Sequence, residues 1–233
     1  MLTEEPRLYL GMELNADYAM ISSAMLSRPE PETISRITGS EMYQIPVALA
    51  KRRGIGQWFY GDEAERLKKE REVIVVDDLL RKALAGQEIT VEDESYPAEE
   101  LLALFVRKVL TLPRRLGNHF EIEKLVVTMP ELSEDAVRVM KLVLRENALR
   151  DGQFLLVDNR ESFYYYALSQ PEELYLHDVA LFDYTSGTLR FACLSRNERT
   201  EPQTIRLYMS KIVSPPPSST PLIVTVLTQR PII

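Results

Sequence analysis

The chain has 233 residues, of which 45% are apolar and 27% charged, an ordinary composition for a soluble globular protein. Its formal net charge of −7 and sequence pI near 5.1 disfavour nucleic-acid binding, which needs clustered positive charge. The basic stretches Lys51-Arg-Arg53 and Lys68-Lys69 are interpreted as solvated faces. One cysteine excludes an internal disulfide, and no apolar run approaches the roughly 18 residues of a membrane span. We therefore expect a cytoplasmic protein with no nucleic-acid or membrane partner.

The first half of the chain predicts two hairpins followed by two helices. Residues 7–13 and 18–26 are apolar-rich runs on either side of Asn15-Ala-Asp17, whose composition is typical of a turn. Pro29-Glu-Pro31 then breaks the pattern. The next predicted elements are strands at 34–37 and 45–50, a turn at 53–56, a strand at 57–60, and helices at 62–71 and 77–84.

The second half alternates helices with strands. The clearest amphipathic helix covers residues 97–112, and Ser133 is a predicted N-cap for a helix that runs to about Asn147. The other predicted elements are strands at 123–129 and 154–158, a helix at 161–169, and strands at 178–184, 188–194 and 204–210. This order predicts an α/β fold in which helices pack on a mixed β-sheet.

The C-terminal segment has a different composition from the rest of the chain. No Asp or Glu occurs from Pro202 to Ile233, and residues 214–221 are a Pro/Ser linker. We expect a poorly ordered tail at 214–233. The alternative is that residues 222–227, which have strong β preference, dock as a strand on a sheet edge.

Two hairpin segments resemble the phosphate loops of the actin and Hsp70 ATPase superfamily. Gly11-Met-Glu-Leu-Asn-Ala-Asp17 is similar to the first loop, and Phe182-Asp-Tyr-Thr-Ser-Gly-Thr188 to the second. Three intervening segments follow the family's order: Ile45-Pro-Val47 with Gly61-Asp-Glu-Ala64, residues 124–130, and residues 157–162. The resemblance implies a ribonuclease H-like lobe at 1–176, the opening strands of a second lobe at 177–213, and a linker and tail at 214–233.

The resemblance also implies a nucleotide site formed by both loops. Its cofactor-binding residues would be Glu13, Asn15, Asp17, Asp183, Thr185, Gly187 and Thr188. Glu13 and Asp183 would hold a magnesium ion, through its bound water in the case of Glu13. For each of these two carboxylates taken singly, a turn or strand-end residue that binds nearby backbone N–H groups is the simpler interpretation.

The chemistry of the loops departs from the family's pattern. Glycines let backbone N–H groups approach a phosphate, whereas the first loop has Asn15, Ala16 and Asp17, and a carboxylate there repels phosphate unless a cation intervenes. Arg160 stands where the family has an acidic residue, with Glu161 adjacent. The chain ends at residue 233, so we expect that it does not complete the adenosine cleft in cis.

These departures favour a catalytically degenerate scaffold over an enzyme. Such a scaffold would act through a protein partner or through self-association, would need no cofactor, and would have no catalytic residues. The alternative is weak binding of Mg-ATP or Mg-ADP, or ATP hydrolysis, in which Glu13 and Asp183 organise the magnesium ion and Thr188 or Thr185 contacts phosphate. A third interpretation is an unrelated α/β protein.

Overall fold

The computed structural model describes residues 7–113, 120–168, 179–185, 187–197 and 204–213. The chain divides into two compact units, Met1–Tyr166 and Ala167–Ile233. The domain boundary predicted at residue 176 and the tail predicted at 214–233 both lie outside the described residues.

The described residues up to Leu168 form eleven strands and five α-helices. In chain order they are β1 (Arg7–Leu14), β2 (Tyr18–Met25), β3 (Arg28–Thr33), β4 (Ile45–Pro46), β5 (Leu49–Arg52), β6 (Trp58–Tyr60), α1 (Asp62–Leu67), β7 (Val73–Val76), α2 (Leu79–Leu84), β8 (Glu88–Val91), β9 (Glu94–Pro97), α3 (Ala98–Leu110), β10 (Glu121–Met129), α4 (Glu134–Glu146), β11 (Phe154–Asp158) and α5 (Asn159–Leu168). The fold is therefore α/β, as predicted.

The main sheet is mixed, with the strand order β11-β10-β1-β2-β3, and β4 pairs with the start of β2. β1, β2 and β3 form an antiparallel meander in which Leu14 pairs with Ala19 at the first turn. β10 pairs in parallel with the other side of β1, and β11 pairs in parallel with β10. Because parallel neighbours need a crossover connection, α4 links β10 to β11.

One face of this sheet is buried under helices. On β1 the side chains of Leu8, Leu10, Met12 and Leu14 alternate with less buried residues, as the two-residue period of a half-buried strand requires. The helical part of the same core is formed by Leu101, Leu102, Phe105 and Val109 of α3 and by Val139, Met140 and Val143 of α4. At the end of α4, Asn147 Nδ2 donates hydrogen bonds to the carbonyls of Ala103, at 3.1 Å, and Val143, at 2.8 Å.

Two small sheets complete the first unit. β5 lies between β6 and β7, and β8 pairs with β9 as a hairpin. Lys51 on β5 reaches that hairpin, where its Nζ lies 3.2 Å from a carboxylate oxygen of Glu92 and 3.7 Å from one of Glu94. The hairpin is thereby tied to the small sheet.

Several sequence predictions are confirmed, and others are wrong. The helices α3 and α4 are confirmed, as is the Ser133 cap, whose Oγ accepts a hydrogen bond from the N–H of Ala136 at 3.1 Å.

The predicted break at 29–31 is instead part of β3, and no strand forms at 34–37. β3 is a fully exposed edge strand, and an edge tolerates proline because its outward N–H groups need no partner. The first short helix ends at Leu67 rather than at residue 71, and β7, β8 and β9 were not predicted.

The second unit contains a three-stranded antiparallel sheet. Its strands are β12 (Val179–Thr185), β13 (Thr188–Asn197) and β14 (Thr204–Val213), in the order β12-β13-β14. These strands correspond to the predicted cluster at 178–210. On β12 the side chains of Phe182 and Tyr184 are exposed, while Ala192 and Leu194 on β13 are buried.

Within the ranges described, no helix is long and apolar enough to cross a membrane.

Candidate functional site

The first predicted phosphate loop is a turn closed by its own asparagine. Asn15 is 1% exposed, and its Oδ1 accepts hydrogen bonds from the N–H groups of Asp17 and Tyr18, both at 2.9 Å. The N–H of Asn15 donates in turn to the carbonyl of Tyr18 at 3.0 Å. The backbone amides that a phosphate loop presents to an anion are therefore bound inside this loop.

Glu13 lies at the end of β1, half-buried, and the same hairpin holds its carboxylate. Its Oε1 accepts hydrogen bonds from the hydroxyl of Tyr18 at 2.9 Å and from Asn15 Nδ2 at 3.4 Å. Asp17 is exposed at the tip of the loop, and its carbonyl accepts a hydrogen bond from the N–H of Val47 at 2.9 Å. The structure thus brings Glu13, Asn15 and Asp17 together in one turn that is anchored to the segment after β4.

A small cleft of about 200 Å³ lies beside this hairpin. It lies on the face of the main sheet that carries the side chain of Glu13 and of every second residue from it along β1. Its polar lining consists of the carboxylate of Glu13 and the hydroxyl groups of Ser22, Thr33, Thr128 and Ser162. None of the described residues that line it is Lys or Arg. The cleft can therefore form hydrogen bonds, but its lining supplies no positive side chain to balance a phosphate.

A carboxylate that the sequence analysis did not select, Asp158, lies at the end of β11. Arg160 donates to its Oδ2 from Nε at 3.2 Å and from Nη2 at 2.5 Å, and the N–H of Glu161 donates to Oδ1 at 2.9 Å. Burial raises the pKa of Asp158, but the hydrogen bonds from Arg160 and Glu161 outweigh it and hold the pKa below its usual value.

Asp158 is consequently the N-terminal capping residue of α5, and Arg160 forms an ion pair with Asp158. The spacing from Asp158 to Glu161 is that of a capping box, so this local signal in the sequence could have identified the residue. Arg160, at a position where the resemblance predicts an acidic residue, neutralises the neighbouring carboxylate of Asp158.

The second predicted phosphate loop forms the β12–β13 hairpin of the second unit. Thr185 pairs with Thr188, and Asp183 pairs with Arg190 further along the strands. Gly187 has a φ of +72°, a conformation that favours glycine in a tight turn. The structure brings Asp183, Thr185, Gly187 and Thr188 together on this one hairpin, so the two predicted loops belong to different units.

Among the residues that the structure describes, no three His, Cys, Asp or Glu side chains converge as ligands for a metal ion. The magnesium pair of Glu13 and Asp183 stays a prediction.

The chain belongs to a family of unknown function, DUF5716 (C-terminal), because the family model matches residues 30–219. The match includes the second hairpin and leaves out the first, at residues 11–22. A search of curated proteins returns no match.

Proposed function

We propose that this chain is a cytoplasmic, catalytically degenerate actin/Hsp70-like scaffold that acts through a protein partner or through self-association. The observation that carries the proposal is the pair of 2.9 Å hydrogen bonds from the N–H groups of Asp17 and Tyr18 to Asn15 Oδ1. An incoming phosphate would have to break both bonds before these amides could bind it. Such a loop supports folding better than it supports anion binding.

The order of the strands supports the ribonuclease H-like part of the proposal. A lobe of that kind has an antiparallel meander whose first strand is extended, on its free side, by parallel strands. Here β1, β2 and β3 form the meander, and β10 and β11 add to the free side of β1 in parallel. α4 makes the crossover between the two parallel strands.

Electrostatics argue against efficient phosphoryl transfer at the first hairpin. A phosphoryl group in transfer needs positive charge or free amide donors around its oxygens. Two unit charges about 4 Å apart interact by roughly 1 kcal/mol in water and 4 kcal/mol near a protein surface. The carboxylate of Glu13 would contribute such a term as repulsion, and Arg160 is bound to Asp158.

Calorimetry separates the scaffold from the nucleotide-binding alternative. The purified chain is titrated with Mg-ATP and with Mg-ADP, alongside Glu13→Ala and Asp183→Ala. We expect no binding heat with either nucleotide, and a mass in light scattering that rises with protein concentration if the chain self-associates. Nucleotide binding that both substitutions abolish would refute the scaffold and establish the Mg-nucleotide alternative.

A further inference from the structure

A groove of about 710 Å³ lies in the first unit, and none of its described lining residues belongs to either predicted loop. Its volume is within the range of roughly 300–1,000 Å³ that is typical of ligand pockets. The apolar part of its lining comes from Ile45, from Phe105 and Val109 of α3, and from Leu112 just beyond that helix. Tyr60 and residues of α1 also line the groove. The groove therefore combines apolar and charged lining residues and is open on one side.

Two exposed apolar side chains extend this surface outward. Ile37 is 47% exposed and Met42 is 41% exposed, and both line the groove. Their loop is held in place by hydrogen bonds, because the N–H of Met42 donates to Ser35 Oγ at 3.2 Å and the N–H of Arg36 donates to the carbonyl of Met42 at 2.8 Å. A loop that is fixed in this way loses little entropy when a partner covers it.

Part of the charge at the rim is already paired. Asp62 lies 2.9 Å from Arg36 Nε, and Glu65 lies 2.8 Å from Lys68 Nζ. Glu63 is the one lining carboxylate for which no ion pair occurs in the described part of the chain.

Among the described lining residues that form no ion pair, cations outnumber carboxylates. Arg66 lies on α1, Lys69 lies just beyond that helix and Lys108 lies on α3. None of the three forms an ion pair with another described residue. The ammonium of Lys108 lies 5.8 Å from the centre of the Tyr60 ring. Three uncommitted cations against one uncommitted anion give the rim a local positive charge on a chain whose formal net charge is −7.

We propose that this groove docks an acidic amphipathic segment of a protein partner. Apolar side chains of the segment cover Ile37 and Met42, while its carboxylates pair with Arg66, Lys69 and Lys108. Charge complementarity selects an acidic segment over a basic one, because like charges at such a rim cost binding energy. This inference names the partner's chemistry and rests on the proposed function as a protein-binding scaffold.

The test measures by fluorescence anisotropy the binding of a labelled peptide to the full chain. In this peptide Leu recurs at helical spacing, every three or four residues, and Glu occupies positions between. Matched peptides carry Gln or Lys in place of Glu. The protein variant is Lys69→Glu/Lys108→Glu, and its control is Arg28→Glu/Lys141→Glu, which changes the net charge equally at exposed positions outside the groove. Met42→Ser removes one apolar contact, and far-UV circular dichroism verifies that each variant is folded.

We expect the Glu peptide to bind, the Gln peptide to bind more weakly and the Lys peptide not to bind. The dissociation constant should rise at least about tenfold in Lys69→Glu/Lys108→Glu, should rise in Met42→Ser, and should change little in the control. The proposal is overturned by absent binding, by equal binding of the Lys peptide, or by equal losses in the groove and control variants.

Nucleotide calorimetry on the same preparations keeps the two proposals apart. Nucleotide binding that Glu13→Ala and Asp183→Ala both abolish refutes the proposed scaffold whatever the peptide does. Absence of both nucleotide and peptide binding refutes only the docking groove.

Discussion

The hydroxyl of Tyr18 donates a hydrogen bond to Glu13 Oε1 over 2.9 Å. A side chain of β2 thus holds a carboxylate of β1 in place. A hydrogen bond to a charged acceptor contributes more than a neutral one. Tyr18→Phe should therefore lower the free energy of unfolding by about 1–2 kcal/mol, as measured by urea denaturation. Tyr43→Phe, at an exposed tyrosine, is the control, and an equal loss in both variants would contradict the assigned role.

Asn15→Ala should cost more than Tyr18→Phe because it removes a buried side-chain oxygen that accepts from two backbone N–H groups. We expect a loss of about 2–3 kcal/mol in the free energy of unfolding. Ala16→Ser, one position along in the same loop, is the matched control and should stay within about 0.5 kcal/mol of the wild type. If Asn15→Ala were neutral, the turn would not depend on this side chain.

The position of this turn could be predicted from the sequence, but the role of the Asn15 side chain in binding the backbone N–H groups of the turn could not. Asn is favoured both where a loop binds its own amides and where its amide meets a ligand, and local composition does not separate the two. The burial of Asn15 depends on how the strands around it pack. Its 1% exposure is a property of the assembled sheet rather than of residues 11–22 alone.

The same limit explains the missed β8–β9 hairpin. The alternation of Ile89 and Val91 is only a short signal, and much of what fixes the hairpin comes from β5, where Lys51 contacts Glu92 and Glu94.

The sequence expectation that Lys51 lies on a solvated face is wrong, because this side chain is 8% exposed. Amphipathic helices such as α3 were predictable because their period repeats over several turns.

Lys51→Met should loosen the β8–β9 hairpin. The ammonium is hydrogen-bonded to Glu92, and it lies 5.9 Å from the centres of the rings of Trp58 and Tyr96. We expect faster amide hydrogen exchange in residues 88–97 and a lower unfolding midpoint in urea. Lys82→Met, which replaces a lysine of α2, is the control and should leave exchange in the hairpin unchanged.

The effect of Lys51 should depend on pH at the alkaline end. The hydrogen bond to Glu92 raises the pKa of Lys51, although burial partly opposes it. A raised folded-state pKa means that the stabilisation is fully present below the unfolded-state pKa of about 10.4 and is lost as the pH rises through the folded value. The difference between wild type and Lys51→Met should therefore be constant at neutral pH and shrink above about pH 10.4. A constant difference at alkaline pH would show that lost packing, not the ion pair, causes the effect.

Gly61→Ala should destabilise the start of α1. Gly61 has a φ of +57° and a ψ of −127°, and a Cβ there would lie 3.1 Å from Ile45 Cγ2. Backbone strain of this kind costs about 1–3 kcal/mol. Gly56→Ala is the matched control because nothing lies within 4 Å of its added Cβ and its φ is ordinary. Equal thermal midpoints in the two variants would contradict the strain.

Asp158→Asn tests the ion pair between Asp158 and Arg160 at the start of α5. The side chains of Asp158 and Arg160 are 19% and 35% exposed, and an isolated, partly exposed pair is worth little more than about 1 kcal/mol. We expect a loss of that size in the free energy of unfolding at neutral pH. Asp93→Asn, at an exposed turn residue, is the control and should be neutral within about 0.5 kcal/mol.

The loss should vanish in acid, and the direction follows from the pKa of Asp158. Because the pKa is lowered in the folded state, the stabilisation is fully present above the unfolded-state value of about 3.9 and is lost as the pH falls through the folded value. The wild-type and Asp158→Asn unfolding curves should therefore differ at pH values above about 5 and converge on acidification below about pH 4. A difference that grew as the pH fell would mean that the wild-type carboxyl is not the group that Arg160 stabilises.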